Sequence, residues 1–181
     1  MPRIAPKKNC EYPWYLRLLY FFQKKKFGAV PEPLLLWGRT PRVMRNFLSM
    51  FRALNRKISP LDPQLRALVS VKVSQINTCP FCIDMLSSMF LKSGGGQEKL
   101  NALGDYPLSA MFDKKEKAAI RYAEAVTGNK VDDAIFQELK GYFSDDAIVE
   151  LTALIAFQNM SSKFNAALDL ASFDYCRLPK K

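Results

Sequence analysis

The chain has 181 residues, 49% hydrophobic and 12% aromatic, which is enough for one domain with a sizeable core and too apolar for a disordered protein. Its 27 Lys/Arg against 17 Asp/Glu give a net charge of +10, and it has no histidine. That absence excludes Ser–His and Cys–His dyads and any His-ligated metal, so a general acid or base here is a carboxylate, lysine, tyrosine, thiol or water.

The positive charge sits at the front. Residues 1–58 hold 13 Lys/Arg against only Glu11 and Glu32. Residues 1–39 read as a basic, aromatic N-terminal arm, with a short helix predicted over 12–24 and an extended passage through Pro31 and Pro33. Trp14, Tyr15, Leu18 and Phe22 supply an apolar face for the body or a neighbouring subunit. The alternative is a weak membrane-surface contact through residues 12–26, beside Lys24, Lys25 and Lys26. The apolar run 14–22 contains Arg17 and is too short to span a bilayer. No segment reads as a signal peptide, so a cytoplasmic location is expected. The basic residues surround no reading element, and a nucleic-acid partner is not expected.

Residues 40–181 read as one compact all-α domain. Thr40-Pro41 and Asp62-Pro63 each place a capping residue before a proline suited to the first helical position. After the second start, Leu65, Leu68, Val69, Val73 and Ile76 recur at helical spacing. Gly94-Gly95-Gly96 predicts a helix end and turn rather than a phosphate loop, because no strand precedes it. Asp113 and Glu116 have capping-box spacing. Ser144, followed by Asp145 and Asp146, opens the longest helix, with Phe143 placed to staple onto Ile148. From Ala147 to Leu170 this helix is apolar around most of its circumference, which predicts burial on several sides.

The chemistry-bearing motif is Cys79-Pro80-Phe81-Cys82. With Pro80 at the first helical position, Cys79 is the N-cap and Cys82 lies in the first turn, where free backbone N–H groups favour a thiolate. Cysteines three apart share a helix face, so one sulfur can attack an oxidant and the other resolve it. The same residues also fit two inert core cysteines, or a zinc site completed by Cys10 and Cys176 from the two ends of the chain. Haem attachment is excluded because Ile83 stands where histidine is needed, and a thioredoxin fold because no βαβ pattern is present. Cys176 reads equally as a third redox thiol or a packed small residue.

The stretch Leu65–Asp84 (LRALVSVKVSQINTCPFCID) resembles the signature of the carboxymuconolactone decarboxylase-like family, in its alkyl hydroperoxidase D-like branch. Phe143–Asn159, continuing through Ser162–Asn165, is similar to that family's second conserved helix, and the resemblance runs from about residue 33 to residue 171. It implies an all-helical bundle assembled as a trimer or hexamer, with Cys82 attacking peroxide and Cys79 resolving. The disulfide is then reduced by an external thiol partner, and no prosthetic group or metal is expected. The family's peroxidase members carry a glutamate and a histidine that relay protons, and the corresponding positions here are Ala67 and Leu86. Asp84 is the nearest acidic substitute, a proton donor only if burial raises its pKa, and otherwise a charge in the first turn or an ion-pair partner. Ser70, Ser74 and Ser87 offer hydroxyls but are poor bases.

The expected function is therefore a weak thiol-dependent oxidoreductase acting on peroxide or a small disulfide. The alternatives are a non-enzymatic oligomeric redox sensor or binding module and, behind it, a lactone decarboxylase.

Overall fold

In the computed structural model, which describes residues 2–177, nine α-helices and three short 3-10 turns make up the architecture, with no strand among the described residues. The helices are α1 (Trp14–Phe27), α2 (Glu32–Trp37), α3 (Pro41–Leu54), α4 (Pro63–Ile76), α5 (Pro80–Lys92), α6 (Gln97–Asn101), α7 (Lys114–Thr127), α8 (Asp133–Lys140) and α9 (Asp145–Ala167). None is long and apolar enough to cross a membrane.

Local chemistry sets most of the boundaries. The Asp62 carboxylate accepts from the N–H groups of Gln64 (2.8 Å) and Leu65 (3.3 Å), with Pro63 next to it at the first helical position. Asp113 and Glu116 bond reciprocally at 2.7 and 3.0 Å, so the capping box opens α7. Ser144 Oγ accepts from the Ala147 N–H at the start of α9. Thr40 behaves differently. Its hydroxyl donates to the Trp37 carbonyl, closing α2 rather than capping α3.

α4 is the axis of the bundle. All ten residues from Leu65 to Ser74 are buried, and the helix packs against α5, α7 and α9. Its two cations are held in place, although Arg66 Nε is buried without a partner. Arg66 donates to the carbonyls of Leu54 and Arg56, tying down the end of α3. Lys72 pairs with Glu124 at 2.9 Å, and the Tyr106 hydroxyl donates to the same carboxylate. The central place thus belongs to α4 rather than to the more apolar α9, which leaves Val149 and Met160 exposed.

The arm departs from its predicted shape in two ways. The passage through Pro31 and Pro33 is helical, because prolines before and within a first turn remove only N–H groups that lack intrahelical partners. The face of α1 that packs on the body is Leu16 and Tyr20, continued by Tyr12, while Trp14, Leu18, Phe21 and Phe22 point outward. The hydroxyls of Tyr12 and Tyr20 decide this choice by donating to the carbonyls of Leu35 and Leu34. Trp37 then stacks between Phe47 and Phe164, with ring centroids 4.6 and 3.8 Å away, and so fixes the arm to α3 and α9.

At the far end of α5, Gly94 adopts φ +95° and the Gly95 N–H reaches back to the Phe90 carbonyl, closing the helix as the three glycines predict. A Cβ on Gly95 would lie 2.2 Å from the Phe90 ring, whereas one on Gly104 would meet nothing within 4 Å. Gly95→Ala is accordingly expected to lower stability by about 1–3 kcal/mol in urea unfolding. Gly104→Ala, the matched control, is expected to be neutral or slightly stabilising.

Candidate redox site

The site is built at the junction of α4 and α5. The Thr78 N–H donates to Gln75 O (3.1 Å) and the Cys79 N–H to Ser74 O (3.0 Å), which ends α4 in a Schellman motif. The left-handed position of that motif, usually glycine, is Thr78 at φ +48°. A β-branched residue there costs about 1–2 kcal/mol. The same Cys79 then begins α5 as its N-cap, its Sγ accepting from the Cys82 N–H at 3.2 Å. Cys79 and Cys82 are joined as a disulfide, with Cα atoms 5.3 Å apart, and both are buried.

Cys82 has a second polar neighbour that carries no role in the motif reading. Asn165 of α9 donates from Nδ2 to Cys82 Sγ at 3.2 Å. Its Oδ1 is buried with no hydrogen-bond partner. Asn165 ends a polar stripe of Gln158, Ser161 and Asn165 on the inner face of α9, all buried. Gln158 donates to Ser74 Oγ, which in turn donates to the Ser70 backbone carbonyl, so the Ser74 hydroxyl is already engaged. The signal was present in the sequence as polar residues at i, i+3 and i+7 inside an otherwise apolar helix. Ala67 and Leu86 are buried in the same apolar cluster as the two cysteines and offer no proton carrier.

Asp84 is committed to the C-terminal segment. Its carboxylate accepts from the Ser172 hydroxyl (3.0 Å) and from the N–H groups of Phe173 (3.3 Å), Tyr175 (2.7 Å) and Cys176 (3.0 Å). Burial alone would push this carboxyl up, but the Cys176 and Tyr175 N–H groups and the Ser172 hydroxyl outweigh it and hold the group below the usual aspartate value. An aspartate stabilised as the anion is an anchor, not the protonated acid that a proton donor requires. Cys10 and Cys176 are exposed free thiols. The Cys176 thiol donates to the Asp84 backbone carbonyl, and partial burial and the Asp84 carboxylate push its pKa up.

Asn165 also lines a cavity of about 390 Å³ between the arm, α3, α5 and α9. Its walls are aromatic, including Trp37, Phe47, Phe81, Phe157 and Tyr175, and Lys26 and Lys92 stand at its edge. Cys82 Sγ lies one hydrogen bond behind this wall.

Two expected outcomes follow from the junction and the anchor. Thr78→Gly relieves the left-handed strain and is expected to raise unfolding stability by about 1 kcal/mol by denaturant titration. Asp84→Asn removes the anion that holds the tail, and Cys176 is expected to alkylate at least several-fold faster at neutral pH, with Cys10 as the unchanged internal reference. The sign of the pH dependence is fixed by the lowered pKa. Tail docking is intact above the unfolded value of 3.8 and is lost as pH falls through the lower folded one.

Comparison with known proteins gives a consistent assignment. The model of the carboxymuconolactone decarboxylase family matches residues 41–125. The uncharacterized protein YnjA of Escherichia coli (strain K12) is 41% identical over 172 residues, covering 93% of this chain and 94% of the relative. Among solved structures, an uncharacterized peroxidase-related protein with an alkylhydroperoxidase AhpD core, from Ralstonia eutropha JMP134, superposes with a TM-score of 0.84. It is 22% identical, and the match covers 99% of this chain and 98% of that one. The debrominase Bmp8 superposes with a TM-score of 0.80 at 22% identity, over 95% of this chain and 92% of that one. At these identities the two structures establish the shared all-α fold.

Proposed function

The chain belongs to the carboxymuconolactone decarboxylase family, and from that premise and the geometry of the cysteine pair we propose that it is a thiol-dependent oxidoreductase that reduces a peroxide. The observation that carries the reading is the buried Cys79–Cys82 pair with the Asn165 amide on Cys82 Sγ, one hydrogen bond from an open cavity. In the reduced protein Asn165 Nδ2 favours a thiolate at Cys82, and the Cys82 N–H, which faces Cys79 Sγ, favours one at Cys79, neither with the help of a histidine.

Cys82 attacks the terminal peroxide oxygen, the O–O bond breaks, and the departing oxygen leaves as alcohol or water after taking up a proton. Cys82 is then a sulfenic acid. The Cys79 thiol attacks its sulfur, the disulfide forms and water is released. An external dithiol reduces the pair, becoming a disulfide itself and restoring both thiols. The cytoplasm is the compartment that supplies such reductants. The active form is a homo-oligomer, a trimer or hexamer, as the family resemblance implies. Asp84 holds the tail and takes no part in proton transfer. Ala67 and Leu86 leave the chemistry without a relay, so turnover is slower than in relay-bearing relatives by on the order of 10²-fold or more. Lactone decarboxylation finds no acid or base at this site, where the Asn165 amide meets the pair and Ala67 and Leu86 are apolar.

The assignment of roles is tested by trapping. After stoichiometric peroxide, Cys79→Ser is expected to accumulate a sulfenic acid at Cys82, captured by dimedone and located by mass spectrometry. Cys82→Ser is expected to give no adduct at Cys79. Adducts on neither variant, with peroxide unconsumed by the native protein, would sink the oxidoreductase reading and leave the sensor or binding module in its place.

A further inference from the structure

Three observations at the cavity specify what it accommodates. Its walls are aromatic and apolar, and its volume of about 390 Å³ falls in the range of small-ligand pockets, about 300–1,000 Å³. Hydrogen peroxide needs no such lining. At the sulfur end, Asn165 is 2% exposed and its Oδ1 has no partner. An unpaired buried acceptor is costly, and the cost is recovered when the side chain shifts enough for a ligand O–H or N–H to reach it. The lining also includes two exposed cations, Lys26 and Lys92, and no carboxylate. Neither lysine is ion-paired within the described residues.

We propose that this cavity is the substrate pocket of the cysteine pair, and that it selects an aromatic carboxylic acid carrying the reducible group, a hydroperoxide. The ring packs against the lining formed by Trp37, Phe47, Phe81 and Phe157. The hydroperoxide O–H donates to Asn165 Oδ1, which sets its terminal oxygen toward Cys82. The carboxylate faces Lys26 and Lys92. This specificity rests on the peroxide-reducing reading above, but the pocket itself is testable without turnover. Bmp8 gives a parallel in the same fold, since a variant of it has been solved in complex with 2,3,4-tribromopyrrole, a flat aromatic with an N–H donor.

The test uses the full chain in its oxidised form, so that binding is read apart from chemistry. Trp37 lines the pocket and reports by fluorescence once the exposed Trp14 is removed by Trp14→Phe. The probe is 4-(2-hydroxypropan-2-yl)benzoate, the alcohol product of such a hydroperoxide. Two counterparts are titrated beside it: 2-phenylpropan-2-ol, which lacks the carboxylate, and 4-isopropylbenzoate, which lacks the hydroxyl. The hydroxy acid is expected to bind most tightly, with each counterpart weaker by about fivefold, the worth of two exposed ion pairs or one neutral hydrogen bond. The double variant Lys26→Gln/Lys92→Gln is expected to abolish the advantage over the neutral alcohol, and raised salt to shrink it. Equal binding of all three probes, or no binding at millimolar concentration, overturns the pocket.

The two readings fail separately. Tight hydroxy-acid binding with no reduction of the matching hydroperoxide leaves the pocket and removes the redox function. Equal kcat/KM for hydrogen peroxide, cumene hydroperoxide and its 4-carboxy derivative keeps the redox function and removes the pocket.

Discussion

The site depends on a single backbone constraint, the hydrogen bond from the Cys79 N–H to Ser74 O across the left-handed Thr78. It closes α4 at the residue that caps α5, so only Asn77, Thr78 and Cys79 separate the two helices. Ten consecutive buried residues of α4 immobilise one side of that turn. The other side starts with Cys79 as cap and Cys82 in the first turn. A looser connection would let the sulfurs separate on reduction. Here both are carried on backbone that the bundle core has already ordered, and the strain at Thr78 is tolerated because packing on both sides overdetermines it.

The helix starts were legible because they are local. Asp62, Asp113 and Ser144 each cap with their own side chain three residues or fewer from the groups they satisfy, and nothing distant has to be known. The junction was legible for the same reason, since Pro80 announces the first turn of α5. Three other features depended on long-range partners. The buried face of α1 is chosen by Tyr12 and Tyr20 reaching carbonyls 23 and 14 residues away, so apolarity alone picked Trp14 and Leu18, which are exposed. Asn165 lies 83 residues from Cys82, and only the polar stripe along α9 hinted at its direction. Asp84 finds its partners 88 to 92 residues downstream, in a segment with no periodicity to announce docking.

The N-terminal arm is compositionally distinct but structurally part of the site. Trp37, stacked between Phe47 and Phe164, is also a wall of the cavity, and Lys26 and Phe27 at the end of α1 line it. Most of the charge excess of the chain lies in this first third. Lys26 of that segment lines the cavity, so part of the excess lies beside the site. The outward stripe of Trp14, Leu18, Phe21 and Phe22 is a separate matter, because those side chains turn away from the face of α1 that packs on the body.

A histidine-free chain must stabilise a thiolate by donors that do not themselves titrate. On the proposed chemistry the Asn165 amide at Cys82 Sγ and the Cys82 N–H at Cys79 Sγ would do this at any pH, whereas a histidine relay does it only over the range in which it holds the right proton. The consequence is a division of labour. On the proposed chemistry fixed dipoles would stabilise the attacking anion, but none of them delivers a proton to the leaving oxygen, which would come from water or from the substrate itself. A substrate whose O–H is already engaged by Asn165 Oδ1 would be oriented by the same side chain that holds the sulfur, coupling the two ends of one amide to the two reacting partners. Asp84 does not fill the missing role, because the contacts that make it useful to the tail keep it ionised. If the pocket takes the proposed substrate, orientation by Asn165 would be the contribution this site makes in place of proton transfer, and it would be worth most for a substrate large enough to be held by the aromatic walls.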